Sequence, residues 1–214
     1  MLRAAGPSHE RLISARSNPR MRTRLGGPTG NERLTAMTGV VLIVLLAVEG
    51  VTVLFLRPLL STHIFVGMLL VPPVALKLAS TGYRFARYYT GSRAFVEKGP
   101  PSPLLRLLAP LVVASTLGLF ASGVALIVLG PGTRFILTLH QASFIAWLAA
   151  TGAHVLGHVL RISRHATADL RKRERVPGSA LRASLLAGSL VAGTTLAIAT
   201  LPLASVWLHW RMEG

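Results

Sequence analysis

Residues 135–160 read FILTLHQASFIAWLAATGAHVLGHVL, a run without a single Asp, Glu, Lys or Arg in which three histidines are the only ionisable side chains. An α-helix rises about 1.5 Å per residue and a bilayer's hydrocarbon core is about 30 Å thick, so about 20 consecutive apolar residues suffice to cross it. Four other stretches have the same character: 34–56, 63–80, 107–129 and 181–208. The pattern predicts an all-α fold, an integral membrane helical bundle of five transmembrane helices over residues 34–210. The second stretch is the shortest and contains Pro72-Pro73, where a kink is expected. Prolines survive in membrane helices when neighbouring groups satisfy the carbonyls they free.

Composition agrees with a bilayer as solvent. Hydrophobic residues make up 51% of the 214 and charged residues only 14%, against roughly 25% charged in soluble domains. The net charge of +16 raises nucleic acid binding, for which a basic balance is the usual footprint, but its distribution argues against that reading. Seven Lys and Arg precede the first span, five lie between the second and third, and six between the fourth and fifth, with Arg182 at the very start of the fifth. The opposite ends hold only Arg57, Arg134 and Arg211, with Lys77 inside a span. Basic residues collect on the cytoplasmic side of a membrane. An inner or plasma membrane location follows, with the N-terminus in the cytoplasm and the C-terminus outside.

Residues 1–33, rich in Arg, Ser, Pro and Gly without apolar periodicity, are expected to form a disordered basic cytoplasmic tail. An Arg-rich, acid-poor leader also resembles a mitochondrial presequence. The first span is too long for a signal-peptide core, so it should stay as an anchor. The chain has no cysteine, which excludes disulfides, covalent c-type haem attachment and cysteine-ligated iron–sulfur clusters.

His63 is followed after fourteen residues by Lys77, and His140 after fourteen residues by His154. Fourteen helical residues make four turns less about 40° and rise about 21 Å, so each helix turns two ionisable groups the same way at two depths. In the expected topology the second and fourth spans both run inward. His63 and His140 then share the outer level, and Lys77 and His154 the inner one. Facing helices could clamp one haem at each level. His158 lies eighteen residues, or five turns, beyond His140. It competes with His154 for the inner place. Lys77 either completes the inner pair as a neutral amine or snorkels to the cytoplasmic headgroups. Without a metal, the histidines would be interfacial polar groups.

The segments HIFVGMLLVPPVALK (63–77) and HQASFIAWLAATGAHVLGH (140–158), with four or five spans around them, resemble the membrane cytochrome b superfamily. It includes the haem b membrane subunits of respiratory formate dehydrogenase and nickel–iron hydrogenase. The resemblance implies haem b, one or two per chain, held between the second and fourth helices. It assigns His63 and His140 to the outer iron and His154 to the inner one. It also implies electron exchange with quinone or quinol and with a partner oxidoreductase subunit. On that reading the chain is an electron-transfer subunit rather than a stand-alone enzyme.

Glu49 is the only carboxylate inside these spans. It is expected either to accept a proton if quinol is oxidised nearby or to be a structural group, protonated or hydrogen-bonded. Gly67, Gly118, Gly123, Gly152 and Gly157 suit close approach of a flat macrocycle or ordinary helix packing equally. No phosphate-binding loop, zinc-protease spacing or nucleophile motif is present. A different class stays open, a proton- or metal-coupled transporter or assembly factor without haem, in which the buried His, Lys and Glu49 would move protons or an ion.

Overall fold

A computed structural model describes residues 26–99, 103–130, 132–169 and 176–212. These residues form helices and turns, with no strand among them. The helices are α1 (Gly27–Leu54), α2 (Leu56–Tyr89), the single turn α3 (Arg93–Val96), α4 (Pro103–Leu129), α5 (Arg134–Asp169) and α6 (Ser179–Met212). All but α3 are long and apolar enough to cross a membrane. Val40, Ile43, Val44, Leu54, Leu107, Phe135, Ile145 and Val191 are among many large apolar side chains left exposed. Such extensive exposure is foreign to a water-soluble monomer and natural for helices facing lipid.

Several boundaries differ from the sequence reading: α2 runs on to Tyr89 rather than 80 and α5 to Asp169 rather than 160, and two starts differ in ways that matter for packing. Residues 27–33, expected to belong to the tail, are the first turns of α1, with Pro28 at its start and Gly30 and Asn31 buried. The rest of the expected tail, residues 1–25, lies outside the described residues. Helix α2 begins at Leu56 rather than 63, because a single residue, Phe55, separates it from α1. Pro58 has no N–H to offer the Leu54 carbonyl, so the chain cannot continue α1 and turns back instead. The backbone departure within α2 follows at once, at Leu59 (φ −107°, ψ 18°), while the dihedrals at Pro72 and Pro73 stay helical. The expected break in α2 has moved to the end that contains Pro58.

The double proline instead shapes packing. Pro73 cannot donate to the Leu69 carbonyl one turn earlier, and Gly193 of α6 lies directly against that oxygen, with no room for a Cβ between them. A glycine there lets the two backbones approach and gives the Leu69 oxygen polarised Cα–H neighbours. Helix α2 thus has α6 on one side and α1 on the other, while α4 and α5 form a second close pair. Contacts between the two groups, through α2–α4 and α4–α6, are sparse. Leu42, Val66 and Leu70 are buried, with Phe65 of α2 and Phe120 of α4 packed on them.

Polar pairs fix the α1–α2 register at the basic end. The Asn31 amide donates to the Ser80 carbonyl at 2.9 Å, and the Thr35 hydroxyl donates to Ser80 Oγ, also at 2.9 Å. Glu32 is paired with Arg84 at 3.1 Å and with Lys98. At the other end, the Trp207 indole N–H of α6 donates to the Leu126 carbonyl of α4 at 3.1 Å.

Replacing Gly193 by Leu should lower stability by about 1–3 kcal/mol through overpacking against Leu69. Gly152→Ala, whose added methyl meets nothing within 4 Å, should melt at or above the wild-type temperature. Thermal unfolding of both variants in detergent checks the contrast.

Candidate functional site

Each helical hairpin contributes one histidine and the groups that hold it. In the first hairpin His63 stands near the start of α2, beside the end of α1. Its Nδ1 is 2.9 Å from Glu49 Oε1 and 3.1 Å from Thr52 Oγ1. The Thr52 hydroxyl is 2.6 Å from the Glu49 backbone carbonyl and 3.2 Å from Glu49 Oε2, so its proton is directed to Glu49 and its oxygen can accept. A carboxylate only accepts hydrogen bonds. With Glu49 ionised, Nδ1 of His63 carries a proton, and in the neutral ring Nε2 keeps its lone pair.

The second hairpin repeats the logic with neutral partners. His140 Nδ1 is 3.1 Å from the Leu119 carbonyl of α4 and 3.1 Å from Ser122 Oγ. Ser122 donates to the Gly118 carbonyl at 2.6 Å, leaving its oxygen to accept from His140. Again Nδ1 carries the proton and Nε2 has the lone pair. Gly123 makes this possible, since a Cβ there would come within 3.1 Å of His140 Cε1.

The rings of His63 and His140 have centroids 6.5 Å apart and planes inclined by 78°. Helices α2 and α5 have no extended contact with each other, so these side chains meet across an interval between the hairpins. Among the described residues, neither Nε2 has a hydrogen-bond partner. The site thus offers two fixed imidazole lone pairs, one from each hairpin, to an electron-pair acceptor. Metal-binding histidines characteristically have this arrangement, with the remote ring N–H held by a carboxylate or backbone carbonyl. No group of three or more His, Cys, Asp or Glu side chains suited to a metal ion occurs among the described residues.

The other candidates fall elsewhere. Lys77 shares the α1-facing side of α2 with His63, as the fourteen-residue spacing implies. Its ammonium donates to the Thr35 carbonyl at 2.6 Å and lies over Gly39. The lysine is engaged with α1, and no hydrogen bond joins it to His154. His154 lies four turns further along α5 and is half-buried. The side chain of His158 and the surroundings of Gly157 lie outside the described residues. Gly118 faces Ser143, and a Cβ added at Gly67 would lie 3.5 Å from Glu49 Oε1.

Thr52, Ser122 and the Leu119 carbonyl are additions that the sequence reading missed. Glu49 was singled out there, but not as the partner of His63. Counting residues outward from the hairpin turn would have paired them, since Glu49 is six positions before Phe55 and His63 eight after it. A backbone carbonyl such as that of Leu119 leaves no such trace.

Comparison with family models, with curated proteins and with solved structures finds no match. The site is therefore interpreted from its own geometry.

In cofactor-free protein in lipid, 15N spectra of labelled histidine should show His63 and His140 protonated at Nδ1 and unprotonated at Nε2. Loss of one signal set in His63→Ala and of the other in His140→Ala provides the assignment. An Nε2-protonated neutral ring at either position would contradict the hydrogen-bond pattern.

Proposed function

We propose that the chain is a membrane-bound b-type cytochrome that holds one haem b between α2 and α5 and passes electrons between a quinone pool and a partner oxidoreductase. The observation that carries this reading is the meeting of His63 and His140 with both Nε2 lone pairs uncommitted. Metal–imidazole bonds of about 2.0–2.1 Å, plus about 1.1 Å from nitrogen to ring centre on each side, place two ring centres roughly 6 Å apart across one metal. The separation here is 6.5 Å. A bare metal ion would need more protein ligands than this pair supplies, whereas a porphyrin fills the equatorial positions itself and leaves two axial places.

Haem b would supply the one-electron couple. His63 and His140 would hold the haem, with Glu49, Thr52, Ser122 and the Leu119 carbonyl fixing their tautomers and rotations. The apolar helices exclude water. The reading is confined to one haem because the Lys77 side chain is drawn to α1, where it donates to the Thr35 carbonyl. Quinone and the oxidoreductase partner follow from the cytochrome b resemblance and from the lack of a substrate-chemistry motif in the sequence. The excess of Lys and Arg at one end orients that end, with the N-terminus, toward the cytoplasm. The haem then lies near the outer surface.

Purified protein should give a b-type reduced-minus-oxidised spectrum with one haem per chain. His63→Ala and His140→Ala should each abolish it, and Lys77→Ala should leave it unchanged. A chain that shows no b-type signal after haem-supplemented expression overturns the reading. Because the protein has no cysteine, single cysteines report topology directly. A membrane-impermeant thiol reagent added to intact cells should label Gly132→Cys and leave Ser92→Cys unlabelled.

A further inference from the structure

Glu49 has its carboxyl group bonded to the His63 ring rather than to a Lys or Arg. Its side chain is 15% exposed, and its contacts among the described residues are His63, Thr52 and the neighbouring Gly67. No Lys or Arg is paired with it there, whereas Glu32, at the far end of the same helix, has both Arg84 and Lys98. A carboxylate at membrane depth is costly without a compensating positive charge. On α2 the group that touches Glu49 is His63, and through the facing ring of α5 the next is His140. A positive charge placed beyond the His63 ring would compensate an ionised Glu49.

We infer that Glu49 is a positioning residue that holds the iron site toward its oxidised form, acting through the Nδ1–H of His63. This rests on the haem reading above. Ferric iron in a porphyrin with two neutral imidazoles carries a net positive charge, and ferrous iron in the same setting carries none. An anion hydrogen-bonded to one axial ligand favours the charged, oxidised state and gives that imidazole more electron density to donate. The other ligand has no anion bonded to it, since His140 is held by an uncharged carbonyl and a hydroxyl. The two axial ligands are therefore unequal, and the inequality resides in one carboxylate.

The test is spectroelectrochemical titration of the full-length protein in detergent. Glu49→Gln keeps an oxygen that can accept from His63 and removes the charge, so it should shift the reduction equilibrium at least tenfold toward the ferrous form. For a one-electron couple that is a rise of about 59 mV. Glu49→Asp, which keeps the charge, should stay near the wild-type midpoint, and Ser122→Ala should move it far less than the Gln substitution. A haem-loaded Glu49→Gln protein with an unmoved midpoint overturns the inference, as does a Glu49→Asp midpoint as high as that of Gln. Should Glu49→Gln fail to retain ferric haem, loading with ferrous haem under reducing conditions decides. Selective loss of the ferric form supports the charge effect, and equal loss of both forms overturns it. A wild-type chain that takes up no haem removes the cytochrome reading itself, whereas a bound haem with an unchanged potential removes only the role of Glu49.

Discussion

Hydrocarbon offers no hydrogen bonds, so each polar group carried into the membrane must be satisfied by the protein itself. This constraint sorts the polar side chains of the bundle into two kinds. Hydroxyls such as Thr38, Ser115, Thr116 and Thr200 bond back to carbonyls of their own helices and need nothing from a neighbour. Histidine and glutamate do not settle within one turn. His63 and Glu49 answer each other across α1 and α2, His140 is answered by α4, and what those bonds leave over is a pair of imidazole lone pairs. The site is what remains when the easier polar requirements have been met locally.

The same constraint explains how Pro72-Pro73 is accommodated. Interior prolines cost a helix its carbonyl partners, yet α2 keeps helical dihedrals there, with a glycine of α6 brought against the Leu69 oxygen. Close packing at one depth and a sharp turn at Phe55 hold α2 from both ends. His63 thus projects from the most firmly placed helix of the bundle.

Much of the fold was legible because long apolar runs have few other uses. The placement of His63 and His140 at one depth was legible too, since their distances from the hairpin turns are similar. Element edges were harder to read. Arg57 and Pro58 look like a loop but open α2, and the start of α1 at Gly27 has no side-chain cap to announce it. Rotation about each helix was the larger gap. Spacing put Lys77 and His63 on one face of α2, but spacing within a helix says nothing about which neighbour that face meets. It meets α1, where Thr35 receives the lysine. Ser122 is one hydroxyl among many in α4, and only the position of His140 distinguishes it.

The sparse seam between the α1–α2–α6 group and the α4–α5 hairpin has a consequence for assembly. Each group can form by itself during insertion, since its closest contacts are internal. A cofactor bridging His63 and His140, as proposed, would then serve as a rivet between the two groups. A ligand that binds only the joined form stabilises it by mass action, so cofactor supply would govern how much of the chain matures. Maturation and function would then share one checkpoint.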